Sequence, residues 1–192
     1  MIRTESLLPP APDFGEILRY MGAGREDRSF DALIKECMDE CLPMLKYKLC
    51  CDEFDISVSG NKVVFPFAEF ESSSLAKNLE ACSKAVIFGA TVGIGIDRLI
   101  FKYGHISPAK ALVFQAIGAE RIEALCDTFC GELKKRYITV MPRYSAGYGD
   151  LPLEAQTVFF RVLDLGRKIG VTLNSALLMS PSKSVTAIVG VG

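Results

Sequence analysis

The sequence has no surplus of charge of either sign, no long apolar run, no CxxC pair and no second histidine. Lys and Arg total 22 against 23 Asp and Glu, a net charge of −1, so the electrostatic footprint of a nucleic-acid binder is missing. No stretch approaches eighteen uninterrupted apolar residues, which excludes a helical membrane span. The first residues hold Arg3 and Glu5 but no apolar core, so no signal peptide is expected. With seven cysteines, an odd number, the expected compartment is the reducing cytoplasm and the expected state is free thiols. His105 stands alone, so a histidine-dependent triad and a multi-histidine metal site are both excluded. Cys37/Cys41 and Cys126/Cys130 are four apart and Cys50-Cys51 adjacent; this spacing predicts small core side chains and no metal site.

What is present is the composition of a folded protein, 49% hydrophobic and 23% charged over 192 residues. That size fits one domain spanning 1–192. Residues 1–12, with Pro9, Pro10 and Pro12, read as an irregular lead-in. A short helix is expected at Phe14–Tyr20, stopping at Gly22. A clearer one runs from Phe30 to Leu42, capped by Asp27 or Ser29 and ended by Pro43. The period then changes to two. Phe54, Ile56 and Val58, the turn Gly60-Asn61 and the return Val63–Phe65 predict a β-hairpin. Ser72–Ser74 opens a helix, Ala85–Phe88 reads as a buried strand, and a glycine-rich bend leads into a helix over Ile96–Tyr103.

Ser107-Pro108 starts a long helical pattern to about residue 136, which Gly118 is expected to bend or divide. A strand over Tyr137–Val140, a helix near Glu154–Lys168 and apolar segments to Val189 follow. Helices and strands mix without a βαβ rhythm, so the fold class is α+β: a bent, mainly antiparallel sheet packed with helices, including the long one near 108–136.

Two motifs suggest chemistry that their context denies. Gly89-Ala-Thr-Val-Gly93-Ile-Gly95 resembles the dinucleotide turn of short-chain dehydrogenases. More than eighty residues precede it, and no tyrosine has a lysine four positions later, so it reads as a tight strand-to-helix turn. Ser180-Pro-Ser-Lys183 matches Ser-x-x-Lys without its companion motifs, and reads as a turn. No catalytic residue is assigned.

A third stretch, Arg143-Tyr-Ser-Ala-Gly-Tyr-Gly-Asp-Leu-Pro152, crowds a cation, glycines, tyrosines and a proline between apolar segments, the makeup of an ordered functional loop. Its Arg-x-x-x-Gly-Tyr pattern, followed by an amphipathic helix, Gly170–Leu173, Ser175, Met179, Pro181 and Ser184-Val185, resembles the S-adenosylmethionine-binding activation domain of cobalamin-dependent methionine synthase. The helix Ile122–Asp127 is similar to the family helix before this loop. The segments at Arg19–Gly22, Ser74–Leu79 and Ala90–Gly93 resemble shortened, free-standing relatives.

The resemblance implies that S-adenosylmethionine binds here. Arg143 would pair with its carboxylate, the backbone at Ser145 and Gly147 would approach it, and Tyr148 would pack beside it. Glu123 falls where the family helix has a carboxylate near the site. The implied role is reductive reactivation of cob(II)alamin. The cobalamin belongs to a partner methionine synthase or corrinoid-binding domain, and a flavodoxin-type donor supplies the electron indirectly. The chain departs from the family in three places. Neither Asp13 nor Asp31 sits where the family's early aspartate does, Leu151–Glu154 replaces a cysteine-proline-acid-histidine run, and Gly192 comes before the family's tyrosine pair. These departures leave open an alternative, a non-catalytic docking module that caps a corrinoid protein without binding S-adenosylmethionine.

Overall fold

The computed structural model describes residues 2–192. In chain order the elements are β1 (Arg3–Glu5), α1 (Phe14–Met21), α2 (Asp31–Cys41), β2 (Lys48–Asp55), β3 (Ser57–Ser59), β4 (Lys62–Phe65), β5 (Ala68–Glu71), α3 (Ser73–Leu79), β6 (Lys84–Thr91), α4 (Gly95–Ile106), α5 (Pro108–Arg136), α6 (Ala155–Leu163), α7 (Leu165–Ile169), β7 (Thr172–Leu173), β8 (Met179–Ser180) and β9 (Ser184–Val191). The fold is α+β, as the sequence predicts. Every strand pairing is antiparallel: a four-stranded sheet in the order β1-β2-β6-β9, a three-stranded β3-β4-β5, and the small β7-β8 hairpin. Only Ile56 separates β2 from β3, and its N–H bonds the carbonyl of Ser83 at 2.9 Å, so the chain turns from one sheet into the next at that residue.

Pleat alternation divides the core in two. Val86, Phe88 and Ala90 of β6 face α1, α2, α4 and α5, while Ala85 and Ile87 face the side of α3, α6 and α7. Both faces of β6 are therefore buried, which is why it reads as an uninterrupted apolar run. The helix α5 is 29 residues long, about 43 Å at the usual rise, and runs unbroken through Gly118. Pro108 sets its first turn, and Lys134, Lys135 and Arg136 in its last turn complement the dipole. No helix among the described residues is long and apolar enough to cross a membrane.

Several local expectations change. Part of the predicted irregular lead-in is a strand, because Arg3–Glu5 pair with Leu49–Cys51 and cover that edge of the sheet. Tyr137–Val140 form no strand; Val140 makes one isolated bridge to Val191. The helix expected near Glu154–Lys168 is split in two at Asp164, which takes φ 50°. His105 lies in the last turn of α4, past the Tyr103 end expected for that helix.

The glycine turn after β6 is filled by protein. A Cβ at Gly89 would lie 2.5 Å from the Leu165 side chain, and one at Gly95 2.5 Å from the Met44 carbonyl. These glycines admit close packing from α7 and from the segment before β2, the structural role of a tight strand-to-helix turn. The Ser180–Lys183 turn is likewise structural, with Ser182 N–H donating to Asp97 at 3.2 Å.

Candidate functional site

The loop after α5 is positioned by the sheet edge. Met141 N–H donates to the Gly190 carbonyl, and Tyr144 and Ile188 exchange both backbone bonds, each at 2.8 Å. This segment lies along β9 and brings Arg143 back over α5. There Arg143 Nη2 donates to Glu123 Oε2 at 3.2 Å and to Asp127 Oδ1 at 2.7 Å. The two carboxylates are one turn apart and share a helix face. Burial opposes the Arg143 charge, yet Cys126, Glu123 and Asp127 together hold its pKa above the ordinary arginine value. Burial pushes the Cys126 thiol beneath it up to about 12. Burial likewise lifts Cys37 and Cys51 to about 11 and Cys41 and Cys50 to about 12. All seven cysteines are free. These five are neutral core groups at physiological pH, without thiolate reactivity.

Beyond Arg143 the chain makes a tight turn. Tyr148 N–H donates to the Ser145 carbonyl at 3.2 Å, and Gly147 N–H to the Leu151 carbonyl at 3.0 Å. The buried Tyr144 hydroxyl donates to the Tyr148 carbonyl at 3.1 Å. Gly149 closes the turn at φ +57°, where a Cβ would stand 2.5 Å from that hydroxyl. Tyr148 itself is 68% exposed, its ring edge-on to Tyr144 at 5.4 Å between centroids. Arg143 and Tyr148 line one groove with Met141, Pro142 and Tyr144. Arg143 and Glu123 are in direct contact. The Ser145 carbonyl and the Gly147 N–H are engaged within the turn itself.

Asp150 straps the loop to α3. Its carboxylate accepts from the Ser72 hydroxyl, from Ser73 N–H at 2.7 Å and from Ser74 N–H at 3.2 Å, so a side chain from the loop satisfies the first N–H groups of the helix. The Ser72 hydroxyl bond and these backbone bonds hold the Asp150 carboxyl below the usual carboxylate range. A depressed folded pKa contributes stability above the unfolded value, and that stability is lost as pH falls through the folded value. The melting-temperature difference between wild type and Asp150→Asn is therefore positive at neutral pH and shrinks below about pH 4. Thermal melts across pH check this. A difference that stays constant into acid would remove Asp150 as the strap.

On the other side of Glu123 and Asp127 lies a cleft of about 340 Å³ lined by five carboxylates, Asp13, Glu16, Glu120, Glu123 and Asp127, with Tyr20. Asp13 caps α1, accepting from Glu16 N–H at 3.1 Å, while its own N–H donates to Glu120 at 3.3 Å. Arg121, 2% exposed, pairs with Glu120 and donates to the Pro10 carbonyl at 2.6 Å. This buried pair clamps the Pro10–Asp13 segment onto α5 and so builds one wall of the cleft. Among the described residues no three His, Cys, Asp or Glu side chains are grouped to hold a metal ion. Four of the five carboxylates are ion-paired, Glu16 with Arg19 and Arg25, Glu120 with Arg121, and Glu123 and Asp127 with Arg143, so the attraction the cleft offers an organic cation comes chiefly from Asp13 and the second oxygens of Glu123 and Asp127.

The sequence alone sets Asp13 aside and does not single out Asp127 or Tyr20, yet all three line this cleft. The run Pro12-Asp13-Phe14 and the one-turn spacing of Glu123 and Asp127 were the available signals. The arrangement that results is a carboxylate-lined cleft whose Glu123 and Asp127 also bind Arg143, chemistry suited to a molecule that carries a cationic centre and a carboxylate.

A search of solved structures matches this architecture over its whole length to a structure described as "Crystal Structure of the MetH Reactivation Domain bound to AdoHcy". The TM-score is 0.72 at 11% identity, covering 100% of this chain and 78% of that one. The chain has the reactivation-domain fold. No family model matches the sequence, and no curated protein matches it, so the likeness lies in the fold. The likeness of fold covers the whole chain, both the region from Ile122 onward and the earlier segments Arg19–Gly22, Ser74–Leu79 and Ala90–Gly93 that the sequence resemblance named.

Proposed function

We propose that this protein binds S-adenosylmethionine and serves as a reactivation component for a cobalamin-dependent methionine synthase. The observation that carries the reading is the juxtaposition of Arg143 with the Asp13–Glu123 cleft, in a fold whose solved relative is described as bound to AdoHcy. Arg143 would hold the ligand carboxylate, the acidic cleft would favour the ammonium and sulfonium, and Tyr148 would offer an aromatic face. The ligand supplies a methyl group; the cobalamin belongs to the partner. This chain contributes binding and orientation and needs no general acid or base.

The test is calorimetric titration of the full chain with S-adenosylmethionine and with S-adenosylhomocysteine. Saturable binding of one ligand per chain is expected. No detectable binding up to millimolar ligand would overturn the reading.

A second reading, a docking module that caps a corrinoid protein without this ligand, draws on Arg143 being already paired with two carboxylates and on Tyr148 being 68% exposed. Capture of the corrinoid protein by a chain that binds neither nucleoside would favour it.

A further inference from the structure

A guanidinium can present two bidentate edges to a carboxylate: the end-on pair Nη1/Nη2 and the side-on pair Nε/Nη2. Nη2 belongs to both. In this protein Nη2 of Arg143 is the nitrogen that Asp127 and Glu123 occupy, at 2.7 and 3.2 Å. With each carboxylate taking a hydrogen of Nη2, neither edge is free to receive an incoming carboxylate bidentately. We infer that Asp127 is a built-in competitor for the ligand's carboxylate: it holds Arg143 in the free protein and must release it when the ligand binds. This inference rests on the ligand class proposed above.

Three observations single out Asp127 rather than Glu123. It makes the shorter bond. Its side chain is 71% exposed against 44% for Glu123 and 23% for Arg143, so water replaces its partner at little cost when it lets go. It also stands on the ridge between two spaces, lining both the acidic cleft and a second groove of about 460 Å³ with Cys130, Lys134, Met141 and Pro142. A released Asp127 side chain therefore has open volume and solvent on the side away from the cleft. Arg143, pinned through the backbone by Tyr144 to β9 and packed over Cys126, stays in place.

The arrangement affects specificity. A ligand that carries a carboxylate substitutes for Asp127 on Arg143 and leaves the cation paired throughout. A ligand without one gains nothing from Arg143 and feels Asp127 only as part of the negative field of the cleft. Removing the Asp127 charge should accordingly shift the two kinds of ligand in opposite directions.

The experiment compares the full-length wild type with Asp127→Asn by calorimetry, using S-adenosylmethionine and its decarboxylated analogue, which keeps the sulfonium and ammonium. Circular dichroism confirms folding of this exposed-site variant. The expected result is about fivefold tighter binding of S-adenosylmethionine by Asp127→Asn, the scale of one exposed ion pair, with the decarboxylated analogue unchanged or weaker. Unchanged or weaker S-adenosylmethionine binding by the variant overturns the competitor role and leaves the ligand assignment standing. Equal tightening of both ligands also overturns it. Absence of binding by both proteins to both ligands removes the ligand assignment and this inference together.

Discussion

Replacing Glu120 with alanine is expected to destabilise the protein by about 3–5 kcal/mol. Arg121 beside it is 2% exposed and donates both of its side-chain carboxylate bonds to Glu120. Its other contacts, the Pro10 carbonyl at 2.6 Å and Tyr47, are neutral. Removing the carboxylate leaves a buried guanidinium with no counter-ion, and the desolvation penalty is no longer offset. The cost also reaches the site. The Asp13 backbone N–H loses its acceptor on Glu120, so the segment that walls the acidic cleft loosens.

Denaturant unfolding measures the first effect, and amide exchange at Asp13–Glu16 the second. The double variant Glu120→Leu/Arg121→Met should recover most of the stability, because an apolar pair of similar volume avoids the desolvation altogether. A Glu120→Ala protein within about 1 kcal/mol of wild type would mean that Arg121 reaches water and that the pair is no clamp.

The second large effect concerns binding. If the proposed ligand assignment holds, Arg143→Ala is expected to weaken S-adenosylmethionine about a hundredfold, since the charge-assisted and partly desolvated bond assigned to Arg143 would be lost. Folding stability should change by less than about 1 kcal/mol, because the ion pairs lost, with Glu123 and Asp127, are at half-exposed and exposed positions. Arg143→Lys keeps the charge but loses the planar fork, and should fall between the two. Titrations of the three proteins decide the matter. Binding by Arg143→Ala within threefold of wild type would mean that the arginine only fixes the loop.

The contrast between these two positions shows what could be read early. Arg143 announced itself because a cation in a glycine- and tyrosine-rich loop is rare chemistry in a short span. Glu120 and Arg121 lay inside a helical pattern as ordinary charged residues. Nothing in the local sequence says that Pro10 folds over them, since that contact joins residues 111 apart. The same holds for Asp150, whose partners on α3 lie 76 to 78 positions earlier. Asp13 reaches Glu120 across 107 residues. The elements misjudged from the sequence share this cause. Arg3–Glu5 become a strand only because β2 offers an open edge, and Tyr137–Val140 do not because β9 engages them at single points.

By itself the sequence determined the elements whose signals are local. The apolar spacing of α2 and α5, the Gly60-Asn61 turn, the Ser107-Pro108 helix start and the alternation of buried strands all arise from backbone geometry within a few residues, where propensity and pattern act together. The mixed α+β class followed from their order. Tertiary structure alone decided which carboxylates meet Arg143, which helix Asp150 caps and where the cleft lies. Those contacts depend on the packing of α1 and the 139–144 segment around one long helix and one sheet edge. A side chain's partner across a hundred residues is set by the burial of many apolar groups at once, and no local pattern encodes it.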